Sequence, residues 1–117
     1  MANEKSVLIG FFGNYPLIRI LDFLIENRGF DYSKTEISKG AGVSWGSLYK
    51  LWNKIERLDM VTCTRSFGKT RLYKLNEKNP FMKRILRLEL DLIKHYAEAD
   101  TRAYSGEHKT PAAVPTV

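Results

Sequence analysis

Apolar residues recur at helical spacing in three stretches of the chain. Leu17, Ile20, Leu21, Leu24 and Ile25 predict an amphipathic helix that ends near Asn27-Arg28-Gly29, with Asp22 and Glu26 on its other face. Asn14 is its expected N-cap and Pro16 sits in its first turn, where a missing N–H costs nothing. Leu48, Leu51, Trp52, Ile55 and Leu58 form the stripe of a second helix, from Trp45 to about Leu58. The third stretch opens at Asn79-Pro80 and carries two apolar lines. One is Phe81, Ile85, Leu88, Leu92 and Tyr96; the other is Met82, Leu86, Leu90 and Ile93. A helix apolar over so wide an arc has more surface than one small domain covers.

Shorter signals fill the gaps. Ser6 to Phe12 reads as a short helix or an extended arm, and Phe30 to Tyr32 could add one rung to a sheet. Ser33-Lys34-Thr35-Glu36 has capping-box form and starts a helix that reaches about Gly40. Ala41-Gly42-Val43 makes a tight turn, after which Ser44 caps the helix that starts at Trp45. Val61 to Ser66 and Arg71 to Leu75 alternate around the loop Phe67-Gly68-Lys69-Thr70, the signature of a β-hairpin. From about Asp100 the chain turns polar, with Gly106, Pro111 and Pro115, and a disordered tail is expected.

The segment from Thr35 to Ser44 resembles the winged helix-turn-helix family of transcriptional regulators, the broad group of MarR-like and ArsR-like repressors. Ile37 and Ala41 resemble its first-helix core positions, Gly42 its turn residue, Val43 its plug and Ser44 its cap. Leu48, Trp52 and Ile55 resemble the buried positions of its recognition helix. Leu58-Asp59-Met60-Val61 resembles the family's Leu-x-Gly-Leu-Val passage into the wing, with Asp59 where glycine is usual. Aspartate tolerates a left-handed backbone moderately well. The resemblance covers about residues 16–75. It implies an α+β, mainly α fold with a winged helix-turn-helix domain over 14–78 and a dimerisation helix over 79–99, to which the residue pattern adds an arm or short helix over 1–13 and a tail over 100–117.

Composition adds the partner. The 117 residues carry a net charge of +6, which favours nucleic acid first and an acidic membrane surface second. Between Ser44 and Lys74 seven basic side chains face two acidic ones, a net of +5. A merely solvated surface would not concentrate the excess there. A single cysteine, Cys63, fits a reducing compartment, and the cytoplasm, in association with DNA, is the expected location. Cys63 is read as a buried small hydrophobe rather than a redox switch. Neither a secretory signal nor an apolar run long enough to span a bilayer is apparent.

Candidate contacts follow from these placements. A recognition helix enters the major groove N-terminus first, so Ser44, Trp45, Ser47, Tyr49, Lys50, Asn53 and Lys54 are the candidate DNA-binding residues of the helix. Arg65, Lys69 and Arg71 are those of the wing. Lys50 and Asn53 are the best base-contact candidates, because lysine donates to guanine and asparagine pairs with adenine. Gly46 permits close approach at a cost in helix stability. Trp45 either stacks at the DNA face or staples the helix start against the first helix. Phe67 either wedges at the wing tip or folds back onto the hairpin. Phe81, Ile85, Leu88, Leu92 and Tyr96 are the candidate dimer contacts. His95 follows Asp91 by one turn but reads as a polar-face residue, so no metal and no cofactor is expected.

The functional expectation is a homodimer that binds double-stranded DNA sequence-specifically, a transcriptional regulator and by default a repressor. The alternatives are an architectural or segregation protein coating DNA with weak preference, and a winged helix used for protein–protein contact. No catalytic constellation is apparent, so no enzyme activity is expected.

Overall fold

The structure is a computed structural model that describes residues 6–105, with side chains described as far as Ala99. Five helices and a hairpin follow one another: α1 (Val7–Phe12), α2 (Pro16–Glu26), α3 (Lys34–Ala41), α4 (Trp45–Arg57), β1 (Val61–Phe67), β2 (Thr70–Leu75) and α5 (Pro80–Ser105).

The first segment is helical. Ser6 caps α1, its hydroxyl accepting from the Ile9 amide at 3.2 Å and donating to Asp22 Oδ1 at 2.7 Å. That contact corrects the expected polar face of α2. Asp22 is 1% exposed, because α1 lies over this side of α2 and buries Leu8 beside it. Nor does Asn14 cap α2: the N-cap is Tyr15, without a side-chain bond, and Pro16 alone starts the helix.

Ile20, Leu24 and Ile25 of α2, Ile37 and Ala41 of α3, and Leu48, Trp52 and Ile55 of α4 make the core, closed by Leu75 of β2 and Met82 of α5. The α3 start is a full capping box between Ser33 and Glu36. Its end is set by Gly42, whose φ of +70° suits a residue without a side chain. The Ser38 hydroxyl donates to the Val43 carbonyl at 2.7 Å and holds the turn from inside. Gly40 has a different task. The Phe23 ring lies where a Cβ on Gly40 would stand, so α2 and α3 pack at backbone distance.

Leu58 is the C-cap of α4 and is exposed, contrary to its expected place in the stripe. Lying beyond the last turn, it rims an apolar hollow of about 320 Å3 with Leu17, Phe12, Met60, Phe81 and Met82. Asp59 follows at φ +53°, the left-handed conformation that glycine usually supplies. Asn79 stabilises this turn: its amide donates to the Leu58 and Asp59 carbonyls at 2.7 and 2.8 Å. The same side chain accepts from the Phe81 amide at 2.6 Å and so caps α5.

The hairpin is tighter than expected, with Gly68 and Lys69 alone between the paired residues Phe67 and Thr70. A bulge at Thr64 interrupts it, since Cys63 pairs with Tyr73 and Arg65 with Leu72. Tyr32 adds the expected rung, exchanging backbone bonds of 2.8 Å with Tyr73. β2 is therefore flanked on both sides, and β1 is the edge. This corrects the reading of Cys63, which is exposed: only Val61 of β1 is buried.

α5 runs to Ser105, beyond the boundary expected at about residue 99. Residues 100–105 contain neither glycine nor proline, and the first breaker is Gly106. The rest of the expected tail lies outside the described residues. Among the described side chains of α5, only those of its first turns meet the core, through Met82, Ile85 and Leu86.

Candidate nucleic-acid interface

α3, the Gly42 turn, α4 and the following hairpin form a winged helix-turn-helix, with α4 in the place of the recognition helix. Ser44 fixes the start of α4, accepting from the Ser47 amide at 3.1 Å and bonding the Ser47 hydroxyl at 3.1 Å. Both hydroxyls are thereby engaged in capping. Gly46, Tyr49, Lys50 and Asn53, spaced i, i+3, i+4 and i+7, are all exposed and form the outer stripe of α4. Lys54 and Arg57 are exposed beside them.

The alternatives left open for Trp45 resolve toward the surface. Its side chain is 51% exposed, and its ring lies 6.3 Å from that of Tyr49, itself 68% exposed. Trp52 is core: it is 5% exposed and meets the Tyr73 ring edge-on at 4.9 Å. Lys34, at the start of α3, places its ammonium 5.2 Å over the Trp52 ring.

The wing residues divide. Lys69 and Arg71 are exposed and enter no ion pair among the described residues. Arg65 is engaged: its Nε and Nη2 donate to the two Asp31 oxygens at 3.0 and 3.2 Å, and Thr64 donates to the same carboxylate. The Arg65 hydrogen bond holds the Asp31 carboxyl below the usual aspartate range, with Thr64 adding to it. Phe67 makes its contact within the hairpin. It is 59% exposed, with the Arg65 guanidinium 5.5 Å from its ring.

Between α4 and the hairpin runs an open cleft of about 470 Å3. Lys34 and Trp45 line it from the helices, and Lys69, Arg71 and Tyr73 from β2 and its turn. Glu56 is its acidic lining residue. Burial pushes the Tyr73 phenol above its ordinary value and Glu56 pushes it the same way, while Arg71 pulls it down through its charge and a hydrogen bond. Lys34, Asp31 and Gly40 escaped the sequence reading. The capping-box pattern placed Lys34 at a helix start, but no local signal brings that start beside the wing.

The expected dimer contacts are unequal. Ile85 packs against its own core, Leu88 and Leu92 are half-buried, and Phe81 and Tyr96 are exposed. Leu90 and Ile93 of the second line are exposed as well.

The fold is thus of the winged-helix class. No family model matches the chain, and no curated protein matches it either. Among solved structures the chain is similar to Sso10a-2, a DNA-binding protein from Sulfolobus solfataricus. The identity is 12% and the TM-score 0.49, with 79% of this chain and 96% of that one covered. No helix among the described residues is long and apolar enough to cross a membrane.

Proposed function

We propose that the protein binds double-stranded DNA as a homodimer, inserting α4 into the major groove and laying the hairpin on the phosphate backbone. The observation that carries this reading is the coincidence of two features on one side of the molecule. α4, through Trp45 and Glu56, and the wing, through Lys69 and Arg71, line the same cleft, and the stretch containing them holds +5 of the chain's +6. Lys50 and Asn53 read base edges; Lys54, Lys69 and Arg71 meet phosphate. Arg65 is withdrawn from this set, because Asp31 occupies its guanidinium.

The homodimer is supported by the apolar surface of α5. Phe81, Leu90, Ile93 and Tyr96 are all about half exposed, and burying the exposed half of such side chains gains about 0.8–1.5 kcal/mol each, half the value for full burial. Two recognition helices would then address half-sites roughly 10 base pairs apart. On the family resemblance, the dimer acts as a transcriptional regulator that represses by occluding its site. It is a binding protein of the cytoplasm rather than an enzyme.

The test is a titration of a random-sequence duplex and of duplexes selected from a random pool, at several salt concentrations. Tight, sequence-dependent binding is expected, with a salt slope of roughly −0.9 per phosphate contact. Equal affinity for all duplexes would convert the regulator into a DNA-coating protein. No binding at low salt would refute the DNA reading.

A further inference from the structure

We propose that the cleft between α4 and the wing is a pocket for a single unpaired nucleotide of a DNA strand, its base stacking on Trp45. The proposal rests on the DNA reading above and adds a ligand that a fully paired duplex does not offer.

Three observations lead there. First, the Trp45 and Tyr49 rings are both exposed and are neighbours, 6.3 Å apart. In a paired duplex the base faces are hidden in the stack and only edges reach the grooves. Exposed aromatic faces therefore find their full partner in a base that has left the stack. Second, Trp45 is also a wall of the cleft. The cleft's volume of about 470 Å3 lies within the range of roughly 300–1,000 Å3 typical of small-ligand sites. Third, the polar lining matches the parts of a nucleotide. Lys69, Arg71 and Lys34 supply positive charge for its phosphate, whereas Glu56 can only accept hydrogen bonds when ionised. A carboxylate repels phosphate but accepts from the exocyclic amine of adenine, cytosine or guanine. Gly46, the next residue, carries no side chain, and the place one would take is open.

Trp52 is buried and Trp45 exposed, so tryptophan fluorescence reports on the proposed stack. The experiment compares a blunt duplex with the same duplex carrying one unpaired adenine at its centre. The expected result is a preference of roughly tenfold for the duplex with the unpaired base, given what one base–aromatic stack is worth. Quenching of Trp45 should accompany it. Trp45→Ala should bring the ratio of the two affinities to one, and Trp45→Phe should keep most of it. Free adenosine monophosphate is expected to quench only at far higher concentration, because it lacks the flanking phosphates. Equal affinity of the parent for both duplexes would overturn the pocket and leave duplex binding standing. Tight quenching by the free nucleotide with no preference between duplexes would overturn the strand assignment. Failure to bind either duplex would overturn both readings together.

Discussion

Arg65 closes onto Asp31 through two hydrogen bonds, and the bulge at Thr64 is what makes the contact. An unbroken strand would send Thr64 and Arg65 to opposite faces. With one extra residue, both side chains reach the same carboxylate. The wing is thereby tied to the loop before α3, and one cation is kept from the DNA face. Asp31→Asn should release it. We expect tighter duplex binding at low salt and a salt slope steeper by about one contact's worth, roughly 0.9, together with a lower unfolding temperature. An unchanged slope would make Arg65 a strut and nothing more.

Two glycines separate fold from function. Gly40→Ala pushes a methyl into the Phe23 ring, and overpacking of this kind costs about 1–3 kcal/mol. Gly46→Ala meets open space on an exposed helix face, so the better helix propensity should stabilise the fold by about 1 kcal/mol. The same methyl should weaken duplex binding, because it stands in the first turn of the helix proposed to enter the groove. Thermal unfolding and duplex titration of both variants check this. A Gly46→Ala protein that is more stable and binds as the parent does would move the DNA away from that turn.

Much of this arrangement is legible along the chain because it is local. The capping box at Ser33, the Asn79 cap and the hairpin all follow from residues within a few positions of one another. What escaped is set by partners far apart in sequence. Asp22 looks like a solvent residue until α1 covers it, and Cys63 looks like a core residue until β1 proves to be the edge. Arg65 counts as a wing cation by composition, yet its partner lies 34 residues earlier. The cleft unites α3, α4 and β2, and no segment announces such a juxtaposition.

Position along the interface should separate affinity from specificity. Lys69 is at the hairpin turn and Asn53 on the outer stripe of α4. Lys69→Ala should weaken binding to every duplex alike and reduce the salt slope by roughly one contact. Asn53→Ala should relax the preference at one base pair, with a loss of about 1–3 kcal/mol on the preferred site. Parental binding by both variants would place the DNA on another face.

Acidity should stabilise the fold through Glu26 of α2 and Glu89 of α5. Burial, then Asp22 and Glu89, push the Glu26 carboxyl above its ordinary value of 4.5. Burial raises Glu89 as well; Asp22 adds to this, and Arg28 partly offsets it. A carboxyl raised on folding binds more protons in the folded state, so stability falls as pH rises through the raised values. Unfolding temperature should therefore climb as pH is lowered from neutrality toward 4.5. Asp31 acts in the opposite direction, but only below its ordinary 3.8. Glu26→Gln should raise stability at neutral pH and flatten the profile. A variant as pH-sensitive as the parent would exclude Glu26 as a source.

The dimer is best tested without disturbing the domain. Removing α5 altogether would strip Met82, Ile85 and Leu86 from the core, and an unfolded product would say nothing about the interface. Leu90 and Ile93 lie further along the helix and are exposed. Being three residues apart, they share one face. Leu90→Lys combined with Ile93→Lys puts two charges into the proposed interface and leaves the domain's own packing untouched. Sedimentation should turn from dimer to monomer, with the helical circular dichroism of the winged helix retained. Binding to a two-half-site duplex should then fall toward that of a single half-site. A variant that sediments as a dimer would shift the interface to the apolar hollow around Leu58 and Phe81. A parent that sediments as a monomer would remove the dimer from the proposal.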